Sequence, residues 1–151
     1  MPEKPIPENH HVVRHCPRNR TIRQDGKIVG VIPRLFELRT HRNEQYLSAC
    51  YFEYFDGDVG TRMRNCLDAT PREIDDRDCM VLMNVGRTKA IAKENNHAVR
   101  ILHETAHPSN PAYARIRGVP FDPSSAILTI LADEAADKIF PVSHIRSAAG
   151  S

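Results

Sequence analysis

Apolar and polar positions switch between two periods along this chain, and the switches mark the elements. In TIRQDGKIVGVI, residues 21–32, β-branched residues flank Asp25-Gly26. That pair suits the two positive-φ positions of a type I′ turn, so a hairpin of antiparallel strands is expected. Tyr46, Leu47, Cys50, Tyr51, Tyr54 and Phe55 fall at a spacing that lays one stripe on a helix, which predicts a helix over 46–55 ended by Asp56-Gly57. Asp58 then caps a second helix running to Ala69, with Val59, Met63, Cys66 and Leu67 inward. The segment ATPREIDDRD after it reads as a polar loop.

The second half is more regular. MVLMNV (80–85) suits a buried strand, GRTKAIAKENN a short helix ended by Asn95-Asn96, and VRIL (99–102) another strand. Together they make a βαβ-like unit with a short crossover. ARIRGV (114–119) alternates apolar and basic residues, so one face is buried and Arg115 and Arg117 point outward. Pro123-Ser124-Ser125 introduces a helix over 125–140 that carries Ile127, Leu128, Leu131, Ala135 and Ile139 on one face and stops at Pro141. The polar, Pro-rich residues 1–10 and the small-residue end 146–151 are expected to be flexible tails around one domain, 11–145. Strands and helices in irregular order predict an α+β fold: a single domain with a mainly antiparallel or mixed sheet and three to four helices packed on it. Its expected core is Leu47, Tyr51, Met63, Leu67, Val81, Leu82, Ile116, Leu128 and Leu131.

Composition narrows the class. The 151 residues, 40% hydrophobic and 26% charged, suffice for one core. Four cysteines with no CxxC pair are read as reduced thiols, hence a cytoplasmic protein. The N-terminus has no apolar signal region, and the longest apolar run, Ala126–Ala132, is far below the ~20 residues of a membrane span, so no membrane partner is expected. GxGxxG, Walker A and GxSxG patterns do not occur, and Ser48 in YLSAC has no glycine frame.

Three features bear on chemistry. His103-Glu104-Thr105-Ala106-His107 is a literal HExxH, which on a helix puts two imidazoles on one face of a zinc ion, with the Glu as base and Glu134 as a third ligand. Pro108, however, biases His107 away from helix, and VRIL before the motif favours a strand. Residues 99–119 are therefore read as strand, connection, strand. No metal is expected, and a zinc-dependent hydrolase through His103, Glu104 and His107 stands as the alternative. His10, His11, His15 and Cys16 lie among arginines and are read as a mostly solvated basic segment. Residues 1–42 hold nine Lys/Arg against four Asp/Glu. Nucleic-acid binding through Arg14, Arg18, Arg20 and Arg23 is thus a further alternative.

The stretches VVRHCP, IPRLFELR, YLSACYFEYF and HPSNPAYARIRGVP give the chain a resemblance to a group of small uncharacterised bacterial proteins. Those carry an early Arg or His segment, a short LSV-like element and a late NPAHA turn before a strand. Here Tyr113 stands where that pattern has His. The group carries no known activity, so the resemblance implies no function. It supports strand–turn–strand over 99–119 and nominates Arg14, Ser48, His103 and Asn110 as pocket-lining residues. The leading expectation is a non-enzymatic binding or accessory protein that works with a larger protein partner.

Overall fold

The computed structural model of the protein describes residues 3–38 and 43–149. Seven strands form one antiparallel sheet: β1 (Glu3–Pro5), β2 (His11–Cys16), β5 (Tyr46–Tyr51), β6 (Cys79–Asn84), β7 (Arg100–Glu104), β8 (Tyr113–Arg117) and β9 (Lys138–Pro141). Their spatial order is β1-β7-β8-β5-β2-β6-β9. β3 (Thr21–Gln24) and β4 (Lys27–Val31) make the separate hairpin expected from Asp25-Gly26, whose φ values of 53° and 77° are those of a type I′ turn. The fold class is thus α+β, with one large antiparallel sheet, a two-stranded ribbon and the helices α1 (Val59–Ala69), α2 (Val85–Glu94), α3 (Ala126–Ile130) and α4 (Val142–Ala149).

Residues opposed across an antiparallel pair share a face, so the register sorts the core into two layers. One face carries Val12, Cys16, Leu47, Ala49, Val81, Met83, Ala114 and Ile116. It is covered by α2, α3 and the π-helical turn Leu131–Ala135 through Ile91, Ile127, Leu128 and Leu131. The other face carries Val13, Cys50, Met80 and Leu82 beneath α1 and α4, which contribute Met63, Cys66, Leu67, Val142 and Ile145. Towards β7 and β8 this second face turns polar. There Arg115 and Arg117 lie over the Tyr46 ring, and both pair with Glu3 at 2.7 and 2.6 Å.

Several expectations are corrected. Residues 46–51 are a strand rather than the start of a helix, followed by a 3-10 turn at Phe52–Tyr54. Both faces of β5 are covered, so Leu47, Ala49 and Cys50 are all buried and the burial has no period of two. The helix expected over 125–140 ends after the π turn, and Lys138–Pro141 instead pairs with the outer edge of β6. Within the stretches expected as tails, residues 3–5 form an edge strand on β7 and α4 runs to Ala149; residues 1, 2, 150 and 151 lie outside those described. His11–Cys16 is a central strand with Val12 and Cys16 fully buried, not a solvated segment. β6 and β7 flank α2 in sequence but stand at separate places in the sheet, so they form no adjacent βαβ pair. Eight of the nine expected core residues are buried; Tyr51 is half-buried.

Candidate functional site: a cleft where two strands part

β2 pairs with β6 through six residues but with β5 through only two, Val12↔Tyr51 and Val13↔Cys50. The Tyr51 amide donates to Ala112 O towards β8, so strand alternation turns the Ser48 carbonyl towards β2. At that level β2 and β5 are no longer paired. The Arg14 guanidinium fills the gap: Nη1 donates to Ser48 O and Nη2 to Leu35 O at 2.8 Å. A side chain thus stands in for the missing rungs of the ladder.

The opening is a cavity of about 190 Å³. Its floor is Val13, His15, Ser48, Cys50 and Tyr113 of β2, β5 and β8. One wall is Thr70-Pro71-Arg72 at the end of α1, where Thr70 Oγ1 donates to Cys66 O. The opposite wall is the turn His107–Asn110. That turn is built locally. His107 Nδ1 accepts from the amides of Ser109 and Asn110 at 3.3 and 3.0 Å, and Asn110 Oδ1 accepts from the Ala112 amide at 2.9 Å. The acceptor role of Nδ1 places the neutral ring's proton on Nε2. His107 stacks on Tyr113 at 4.2 Å between ring centroids, and the Tyr113 hydroxyl meets Ser48 Oγ at 2.6 Å.

Arg14 and Arg72 line this cavity, and among the described residues no acidic side chain does. Glu37 and Glu44 line a much smaller recess on the other side of the same arginines. Burial pulls the Arg14 guanidinium down to about 10, with Arg72 and Arg20 acting in the same direction, which leaves it charged at neutral pH. Its Nε is closed to solvent and has no hydrogen-bond partner among the described residues. His15, with a side chain only 8% exposed, donates from Nε2 to Asp78 Oδ2 at 2.8 Å. Asp78 also accepts from the amides of Arg18 and Asp75, so it acts as an acceptor-only carboxylate and fixes that imidazole tautomer. His15 Nδ1 is then a buried lone pair without a partner among the described residues. Burial first, then Arg72 and Arg14, hold the imidazole below its ordinary value despite Asp78.

Of the nominated residues, Arg14, Ser48 and Asn110 come together here and His103 does not. His103 lies in β7 one residue before its end, bonds Pro111 O at 2.8 Å and packs edge-on to Tyr51 and Tyr54. HETAH itself runs from strand into turn, in line with the reading of 99–119. Glu104 pairs with Arg115 and accepts from the Ala106 amide, and Glu134 belongs to the π turn packed on the opposite face. Among the described residues no three His, Cys, Asp or Glu side chains group as ligands for a metal ion. Among the arginines named for nucleic acid, Arg14 is turned inward, Arg20 donates to Arg34 O, and Arg23 donates to Arg77 O; Arg18 is exposed. Sequence reasoning missed His15, Arg72, Asp78 and Tyr113 as members of the site. Tyr113 carried a signal, because it stands within the turn pattern that nominated Asn110; Asp78, inside a polar loop, carried none.

No family model matches this chain, and no curated protein or solved structure is detectably similar to it.

Proposed function

We propose that this protein is a non-enzymatic binding protein that captures the anionic group of a ligand in the β2–β5 cleft. The observation that carries the reading is the acid-free cleft around Arg14, a guanidinium anchored by two backbone carbonyls with Arg72 at the rim. A preformed cation whose own position is fixed by the fold loses little freedom when an anion docks. The hydroxyls of Ser48 and Tyr113 add neutral donors that orient the ligand. Four buried free thiols support a reducing, cytoplasmic setting for it. Ile22 and Val29, both exposed on the β3–β4 ribbon, support the view that it works beside a larger protein partner.

The test is a titration of the protein with acetate, sulfate and inorganic phosphate, followed by amide chemical shifts. Saturable shifts confined to Arg14, Ser48, Asn110 and Tyr113 for at least one anion are expected. In Arg72→Ala the affinity should fall about tenfold, the loss of one charge-assisted hydrogen bond at an accessible rim. Shifts that stay linear and scattered for all three anions would sink the reading.

A further inference from the structure

We infer that the cleft selects a protonated oxyanion, a phosphate monoester or inorganic phosphate, because His15 presents its buried Nδ1 lone pair as an acceptor among cationic donors. The inference rests on the anion-binding reading and sharpens it to a ligand class. It starts from the pairing of His15 Nε2 with Asp78 Oδ2. Asp78 is 5% exposed and receives two backbone amides besides the imidazole, so it cannot give His15 a proton. The groups facing the imidazole are Asp78 before β6, Arg14 beside it on β2 and Arg72 after α1. Two of these three are cations, and together with burial they keep the ring neutral.

A neutral ring with Nε2–H committed to Asp78 offers one thing on its other side, a lone pair. That atom is buried without a partner among the described residues. Such a group is costly to leave unmade, so a ligand that supplies a donor gains there, and one that brings a second acceptor loses. His15 and the exposed Arg72 line both the cleft and the small recess beside it, which places the imidazole at the wall a ligand would meet.

Among small oxyanions this is a sharp filter. Sulfate has the shape and charge of the phosphate dianion but carries no proton near neutral pH. A phosphodiester is an anion with no titratable proton. A phosphate monoester keeps its second proton up to around pH 6, and inorganic phosphate keeps an O–H even as the dianion, so each can bring both anionic oxygens for Arg14, Arg72 and the hydroxyls and an O–H for Nδ1. The same reasoning disfavours the phosphodiester backbone of nucleic acid.

Calorimetric titrations of the full chain with inorganic phosphate, methyl phosphate, sulfate and dimethyl phosphate at pH 6 and pH 8 test this. Phosphate and methyl phosphate should bind at least about tenfold more tightly than sulfate and dimethyl phosphate at pH 6, the value of one buried acceptor satisfied rather than opposed. The affinity of methyl phosphate should fall towards pH 8 as it loses its last proton, that of inorganic phosphate, whose dianion keeps an O–H, should hold, and sulfate stays weak at both. In His15→Ala, checked for folding by circular dichroism, phosphate and sulfate should converge. A cleft that takes only inorganic phosphate, and not methyl phosphate, at pH 6 would restrict the class to the free ion and overturn the monoester. Equal binding of phosphate and sulfate in the native protein would overturn the selectivity while leaving an anion-binding site. No binding by any of the four, nor by acetate, would overturn both.

Discussion

The two sides of β2 are built on different principles. Towards β6 the strand pairs through six consecutive residues, and Val12, Cys16, Met80, Val81 and Met83 are all fully buried. Cys16 and Cys79 face each other there, and their mutual hydrogen bond and burial push the Cys79 thiol up, out of reach of thiolate chemistry. Towards β5 the ladder stops after two residues, and side chains take over from the backbone. The dry side holds β2 in place. The interrupted side leaves a gap whose filler, Arg14, carries charge and an unfilled donor. A site of this kind needs the continuous ladder next to it, since a loosely held strand would let the gap close.

The largest expected effect comes from removing the filler. Arg14→Ala should destabilise the fold by about 3 kcal/mol, because two buried carbonyls lose their donor and a cavity is left. It should also abolish anion binding. Val81→Ala, directly opposite on the dry side, should cost a comparable amount through a cavity alone and leave binding intact. Urea denaturation and anion titration of both variants check the pair. If Val81→Ala lost binding as fully as Arg14→Ala, the two sides would not be separable.

A smaller effect is expected at Asp78. Asp78→Asn weakens three hydrogen bonds that converge on one buried carboxylate, for a loss of about 2 kcal/mol. It also releases the tautomer of His15, which long-range imidazole nitrogen shifts would report. The linkage to pH has a definite sign. The folded value of His15 lies below 6.5, so the unfolded chain takes up a proton first, and native stability falls as pH drops through 6.5 towards the folded value. His15→Gln should flatten that part of the stability profile. An unchanged profile would mean that the imidazole is not held neutral.

These differences also explain what could be read in advance. The Asp25-Gly26 hairpin, α1 with its Asp58 cap and the strand at 113–117 were legible, because local turn chemistry, capping and alternation each act within a few residues. β5 was not. Its aromatic and apolar residues fit a helical stripe, and only a sheet covered on both faces makes Leu47 and Cys50 bury together. Ile139 likewise continued a helical face, yet the open edge of β6 draws it into a strand opposite Val81. β2 misled through its polar residues, each of which finds a tertiary partner: His11 with Glu53, Arg14 with Ser48 and Leu35, His15 with Asp78. Three nominated residues reached the cleft, but His15 and Asp78 are brought together across 63 positions and share no motif.

The smallest effect tests why the cleft, and not the neighbouring arginine cluster, is open to a ligand. Arg115 and Arg117 lie on the same face of the sheet, but Glu3 already occupies them from the edge strand β1. The Arg117 and Arg115 guanidiniums hold the Glu3 carboxyl below its ordinary value. A depressed folded value means that the pairing stabilises above the unfolded value near 4.5 and is lost as pH falls through the folded one. Glu3→Gln should therefore cost about 1 kcal/mol or less at neutral pH, as suits a partly solvated pair, and nothing once the pH has fallen below the folded value of Glu3. It should also free two cations on β8. If the cleft is selective because of His15 and the Arg14 gap rather than because of cationic charge alone, phosphate affinity there stays within about twofold of the parent protein. A gain well beyond that in Glu3→Gln would show that the freed arginines bind the anion themselves, and that an acid-free patch on this face is sufficient without the interrupted ladder.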